Sequence, residues 1–266
     1  MIKNKVCDMK IGVKILMSLA MSLLFCSCVE EGYDVYLCIG QSNMAGRGTL
    51  IEADTAAVEG VWLLNGEGEP VPARHPMNRY STIRKDISMQ QMSPSFRFAT
   101  EMYRLNGRKV LLVVNARGGT GVDSWQKGAP VREDRPRYFD EAVRRTREAL
   151  QYGELKGIIW HQGESDEKNP DGYAERLARM MADLRAELGA GQVPVVVGEI
   201  ARWLPYTERI NSQIHRAVTL IPMSACVSSE GCGMLRDESD PHFNREGELL
   251  LGERYAEQMI LLQQSY

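Results

Sequence analysis

The stretch YDVYLCIGQSNMAGRG, Tyr33 to Gly48, decides how this chain is read. Val35 to Ile39 is an apolar, strand-like run that closes on Gly40. Ser42 follows at once, with Gly46 and Gly48 just after. A serine at the carboxyl end of a first strand, in a turn that can open a helix, is well placed for a nucleophile. In open α/β sheets, ligands bind outside the carboxyl ends of the strands. Gly40 lets the backbone turn sharply and approach a substrate closely. An ordinary glycine-rich β-to-α turn has the same appearance, so residues further along must decide.

Strand and helix signals alternate outward from this stretch, with no internal repeat. After Val35–Ile39, short apolar runs at Val110–Val114, Ile158–Trp160, Val193–Val197 and Ala225–Ser228 read as strands, and Val61–Leu64 is a further short apolar run before the turn residues NGEGEP. VLLVV and VPVVV are apolar throughout, as buried parallel strands are. Pro194 suits a strand beginning. Helices are predicted at Phe96–Leu105, Tyr138–Leu150, Tyr173–Leu188, about Glu208–Leu220 and Glu246–Leu262. Residues 66–92, with Pro70, Pro72 and Pro76, read as a long polar surface excursion. The βαβα pattern predicts an α/β fold, a three-layer α/β/α sandwich around a mostly parallel sheet.

The chain has 266 residues and a net charge of −3, with no basic stripe of the kind nucleic acid requires. Lys3, Lys5, Lys10 and Lys14 precede a short apolar run, Ile15–Phe25. That is a signal-peptide pattern, too short for a comfortable transmembrane span. It leads into Phe25-Cys26-Ser27-Cys28, which resembles a bacterial lipoprotein processing site. Cys28, after small Ser27, fits a lipid anchor better than Cys26 after Phe25. Residues 1–28 are therefore read as signal and anchor, and 29–266 as one domain. Membrane association rests on that anchor alone, and the expected location is exported: outer membrane, cell surface or periplasm. Glu30 and Glu31 follow, an acidic patch of the type seen in surface export. Of the remaining cysteines, Cys38 reads as a small buried hydrophobe. Cys226 and Cys232 are close enough in sequence to pair.

Each strand leads into a loop dense in glycine and polar groups. Asn115-Ala116-Arg117-Gly118-Gly119-Thr120-Gly121 follows Val110–Val114, and His161-Gln162-Gly163-Glu164-Ser165-Asp166 follows Ile158–Trp160. Asp240-Pro241-His242-Phe243-Asn244 precedes the last helix. A serine hydroxyl needs a base near neutral pH, and histidine is the usual one. Of the four histidines, His75 lies in the proline-rich excursion and His215 within a helix. His242 has Asp240 two residues before it, close enough to hold the imidazole Nδ1 proton. His161 is the competitor, at a strand end without an adjacent upstream acid. Acyl transfer also needs donors for the oxyanion. Candidates are the Ser42 N–H, a backbone N–H at Gly118 or Gly119, and the Gln162 side-chain amide.

GQSNMAG (Gly40–Gly46), NARGGT (Asn115–Thr120), WHQGESD (Trp160–Asp166) and DPHF (Asp240–Phe243) together resemble the SGNH-hydrolase superfamily. More narrowly, they resemble its sialate O-acetylesterase-like and acetylxylan esterase group, carbohydrate esterase family six. The resemblance implies a flavodoxin-like fold and a serine esterase that removes acetyl groups from sugars, with no metal or organic cofactor. It implies Ser42 as nucleophile, His242 as base, and Gly119 (or Gly118) and Gln162 as oxyanion donors. One departure concerns the acid. The superfamily places it three residues before the histidine, where this chain has Ser239. Asp240 takes that role with shifted loop geometry, or Glu164 of the HQGE segment orients His242 instead.

Two other readings remain open on sequence. His161 and Glu164 make an H-x-x-E spacing that a remote histidine would complete into a metal-dependent hydrolase. A non-catalytic glycan-binding lipoprotein on the same fold is the other, with Trp125 and Trp203 as stacking surfaces. The substrate is expected to be an acetylated glycan, and the sequence leaves xylan, sialic acid and other decorated glycans open. The loop at 120–137, with Arg132, Arg135 and Arg137, and the excursion at 66–92 are expected to shape that choice.

Overall fold

A computed structural model describes residues 32–130 and 136–265. The signal and anchor reading, with Cys26, Cys28, Glu30 and Glu31, falls outside the described residues, as do Arg132 and Arg135.

The central strand of the sheet is β1 (Tyr33–Gly40). Its neighbours are β4 (Val110–Ala116) on one side and β5 (Gly153–His161) on the other, both parallel to it. The β4 side continues with β2 (Val61–Leu64), and the β5 side with β6 (Val195–Gly198) and β7 (Ser224–Val227), again parallel. Among the described strands only β3 (Pro70–Pro72) is antiparallel, paired with β2 at the sheet margin. Prolines lack the N–H a central strand must donate, and an edge accommodates them.

The apolar run in β1 has a structural cause. Val35, Leu37 and Ile39 enter the core under α3 (Tyr138–Ala149), α4 (Tyr173–Leu188) and α5 (Thr207–Leu220). Tyr36 and Cys38 enter the opposite core, under α2 (Pro94–Asn106) and α6 (Arg245–Gln264). With both faces covered, every residue must be apolar. Each large side chain buried this way contributes about 1.5–3 kcal/mol. The helix ends follow local chemistry. Pro94 opens α2, and Gly107 and Gly189 close α2 and α4 in the left-handed conformation. At the start of α6, the Asn244 side chain accepts from Gly247 N at 2.8 Å.

The expected three-layer α/β/α sandwich is therefore the fold, with differences in detail. β5 extends back to Gly153, beyond the expected Ile158. Its first half carries Glu154 and Lys156 at the partly solvated end of the sheet, so it lacks an apolar run. Cys38, Cys226 and Cys232 are all unpaired thiols, so the possible Cys226–Cys232 bridge is not formed.

The segment 66–92 is a surface excursion only in part: 85–89 are exposed, but other positions are buried. Ala73, Met77, Asn78, Ile83, Gln90 and Met92 are buried. Asn78 acts as an extra strand at the end of β4: its Nδ2 donates to Ala116 O, and its Oδ1 accepts from Ala116 N, both at 3.0 Å. This docking uses side chain to backbone bonds, which leave no periodic signature. His75, in the same segment, is buried against Phe96 with ring centroids 4.4 Å apart.

The order of the strands fixes where a ligand can bind. From β1 the chain builds β2, β3 and β4 to one side, then crosses to build β5, β6 and β7 on the other. The crevice at such a reversal opens outside the carboxyl ends of the flanking strands. Here those ends are Gly40, Ala116 and His161, which lie side by side. At Gly40 φ is 141°, and a Cβ there would overlap the His161 carbonyl oxygen. Gly40→Ala should destabilise the fold by about 3 kcal/mol or more, from backbone strain plus overlap. Urea unfolding measures this, and a loss below about 1 kcal/mol would show that the turn relaxes freely.

Candidate active site

The turn after β1 is tied to both neighbouring strands. Gln41 N donates to His161 O and Arg117 N donates to Gly40 O, both at 3.0 Å. Ser42 then opens the four-residue helix α1 (Ser42–Ala45), with only 6 % of its surface exposed.

His242 reaches this serine from the loop before α6. Its Nε2 lies 3.0 Å from Ser42 Oγ, and its Nδ1 lies 2.6 Å from Asp240 Oδ1. A carboxylate only accepts, so Nδ1 carries the ring proton and Nε2 presents its lone pair to the serine hydroxyl. The spacing of two works because Asp240 folds back on the same residue. Its Oδ1 also accepts from His242 N at 3.1 Å. Ser239, at the superfamily's acid position, instead donates its hydroxyl to Asp237 Oδ1 at 2.6 Å and is exposed. Burial lowers the His242 pKa from its usual 6.5, with Asp240 opposing and Arg47 and Arg236 assisting. The ring is therefore neutral, and able to accept a proton, at neutral pH.

Among the described residues Glu164 makes no hydrogen bond to His242. Its Oε1 accepts from Asn43 Nδ2 at 2.7 Å. Asn43 is fully buried and spans to the histidine loop from both sides. Its Nδ2 donates to Pro241 O at 3.2 Å, and its Oδ1 accepts from Phe243 N at 3.3 Å. The backbone on either side of His242 is thus held by one amide, and Glu164 sets that amide's orientation. Burial raises the Glu164 pKa to about 7.

Gln162 is withdrawn from the oxyanion donors. Its Nε2 donates to Gln41 Oε1 at 3.0 Å and to Asp166 Oδ2 at 2.6 Å, which occupies both amide protons. Asp166 Oδ2 also accepts from Val122 N at 3.0 Å, so this network braces the loops after β1, β4 and β5 together. Gly118 does sit against the serine: a Cβ on it would lie 3.3 Å from Ser42 Cβ. Gly119 adopts a φ of 74° and borders a cavity of about 380 Å³ that extends toward Arg137 and Tyr138. A larger cleft, of about 800 Å³, lies at the opposite ends of the strands, beside Asp34, Glu154 and Pro194, and holds none of these residues.

The other candidates are placed elsewhere. His161 is fully buried, its Nδ1 2.8 Å from Tyr255 Oη, and burial lowers its pKa to about 4. It makes no hydrogen bond to Ser42 among the described residues. Among those residues no three His, Cys, Asp or Glu side chains converge as metal ligands, so the H-x-x-E pair lacks its third partner. His215 is an exposed helix residue bonded to Glu199 at 2.6 Å. Trp125 is not a sugar platform: it is buried in the core and donates to Thr120 Oγ1 at 3.0 Å. Trp203 is half-buried, packs edge-on against Phe243, and donates to Asp240 O at 2.8 Å, bracing the histidine loop.

A family model described as carbohydrate esterase, sialic acid-specific acetylesterase, matches residues 32–261. The chain belongs to this family. A probable carbohydrate esterase of Arabidopsis thaliana is 25 % identical over 238 residues, covering 82 % of this chain and 86 % of that protein. The X-ray structure of an Arabidopsis thaliana protein superposes with a TM-score of 0.74 at 22 % identity, over 86 % of this chain and 98 % of that one. A carbohydrate acetylesterase from Xanthomonas citri gives a TM-score of 0.64 at 17 % identity, over 88 % of this chain and 57 % of that one. Both structures show the same fold.

Within this carbohydrate esterase, the sequence reading passed over Asn43, Gln41 and Asp166. Asn43 and Gln41 stand inside the quoted GQSN run. The signal was available there: two amides in an apolar strand-turn context must be buried, and buried amides need partners. Asp240→Asn should lower kcat by roughly 10⁴-fold, because an amide can stabilise the wrong imidazole tautomer. Glu164→Gln keeps an acceptor for Asn43 and should stay within about tenfold of wild type. Steady-state kinetics of both variants decide between the two carboxylates, and the reverse ranking would restore Glu164 as the partner of His242.

Proposed function

We propose that this carbohydrate esterase is a serine enzyme of SGNH type that removes O-linked acetyl groups from sugars. The observation that carries the reading is the line from Asp240 through His242 to Ser42, at 2.6 and 3.0 Å. Its location at the strand-order reversal supports it, because that crevice is where a substrate can reach Ser42. The family's description as acetylesterases, and the acetylesterase name of the Xanthomonas citri protein, support acetyl as the group removed.

In this mechanism Ser42 Oγ attacks the acetyl carbonyl while its proton passes to His242 Nε2. The carbonyl electron pair moves onto oxygen, and backbone N–H groups of Ser42 and of Gly118 or Gly119 donate to that oxyanion. Asp240 stabilises the imidazolium without taking its proton. The pair returns, the bond between the acetyl carbon and the sugar oxygen breaks, and His242 protonates the departing sugar alkoxide. Water then attacks the acetyl-Ser42 carbonyl, gives its proton to the same nitrogen, and acetate leaves as Ser42 is reprotonated.

The pH dependence follows from the histidine. Activity needs neutral His242 and is lost as pH falls through its pKa, which burial places below 6.5. The acid limb of kcat/KM should therefore have its midpoint below 6.5. Ser42→Ala should lower kcat on an aryl acetate by roughly 10³-fold or more with the fold intact. A purified Ser42→Ala enzyme with wild-type turnover would end this reading.

A further inference from the structure

Withdrawing Gln162 leaves the oxyanion with backbone donors alone, while a side-chain donor nearby has no assigned role. Arg47 closes the same run that carries Ser42, and it is half-buried. Its Nη1 donates to Gly46 O at 2.6 Å and to Met89 O at 2.8 Å, so one edge of the guanidinium is anchored on backbone. Among the described residues its Nη2 makes no hydrogen bond and pairs with no carboxylate. Glu248 is the acidic group that acts on Arg47 through space, and burial holds Glu248 well above the usual carboxylate range, which favours its neutral form. Burial lowers the Arg47 pKa from its usual value, with Glu248 opposing.

The free edge lies beside the nucleophile. A Cβ built on Gly118 would stand 2.8 Å from Arg47 Nη2 and 3.3 Å from Ser42 Cβ. One point in space thus touches both groups, and the bare glycine keeps it open. The gap is on the side of Ser42 that faces the Gly118 backbone, where donors for a tetrahedral oxygen are expected.

We propose that Arg47 is a further catalytic residue, whose Nη2 edge donates to the oxyanion formed on the Ser42-bound acetyl carbon. The inference rests on the serine-esterase reading above. No bond to Arg47 forms or breaks and no proton leaves it. The guanidinium strengthens a hydrogen bond as the carbonyl pair moves onto oxygen, and so acts in the transition state more than in the ground state. A planar guanidinium can hold two carbonyls with one edge and an oxyanion with the other, which a single lysine amine cannot do.

The experiment compares wild type, Arg47→Gln, Arg47→Lys and Ser42→Ala on p-nitrophenyl acetate, a neutral ester, with thermal melting of each. Both Arg47 variants should melt near wild type and lose about 10²–10³-fold in kcat, with KM changed by less than about threefold. The charged groups acting on His242 are Asp240, Arg47 and Arg236. Because Arg47 lowers the His242 pKa, Arg47→Gln should also move the acid limb of kcat/KM upward, while Arg47→Lys, which keeps the charge, leaves it in place. Wild-type kcat in Arg47→Gln, with Ser42→Ala inactive, would overturn the inference and leave the serine mechanism standing. So would a loss confined to esters of acidic sugars, which would make Arg47 a holder of a substrate carboxylate. A loss that comes with lowered melting and an unmoved acid limb would show a structural role and overturn it too. An active Ser42→Ala would instead bring down the underlying reading.

Discussion

One buried amide joins the two ends of this molecule. Asn43 stands next to Ser42, and its side chain holds the backbone on both sides of His242, some 200 residues later in the chain. Buried in the core, an unmet amide would cost about 1–3 kcal/mol, and the histidine loop supplies its partners. Glu164 settles which way that amide faces. The serine-to-histidine distance is therefore set by hydrogen bonds that touch neither reacting atom.

The same economy governs the other loops. Gly40 turns only because no Cβ meets the His161 carbonyl, and this seats the serine between β4 and β5. Gln41, Gln162 and Asp166 then tie the loops after three strands into one network. Trp203 packs against Phe243 of the histidine loop, with ring centroids 5.5 Å apart. Beside Ser42 stand the Gly118 backbone and the Nη2 edge of Arg47, and Lys85 Nζ lies near Gly119. Residues used as support are removed from chemistry, which is why Gln162 and His161 are placed in the scaffold here.

Much of this was legible in the sequence because burial writes a strong pattern. β1 and β4 are covered on both faces, so their apolar runs marked the strands, and the loops at their ends marked the crevice. Ser42, His242 and Asp240 were candidates because few residue types can do acyl transfer and histidine is scarce in this chain, and the structure brings the three within hydrogen-bonding distance. The choice between Asp240 and Glu164 was not legible. It depends on Asp240 bending back onto His242 N, a local turn that residue spacing alone does not reveal. The docking of Asn78 onto β4 was hidden for a related reason, because single side-chain bonds to backbone have no period. Trp125 was a stacking candidate only under the glycan-binding reading, and burial places it in the core, the commoner use of an indole.

The central claim is that Asp240, His242 and the end of β1 make Ser42 a nucleophile. Treating the enzyme with a fluorophosphonate, which reacts irreversibly with activated serines, and mapping the adduct by peptide mass spectrometry tests it most directly. The account predicts that activity disappears as one adduct forms per chain, on Ser42. Full activity after exhaustive treatment, or inactivation with the adduct on another residue, would contradict it.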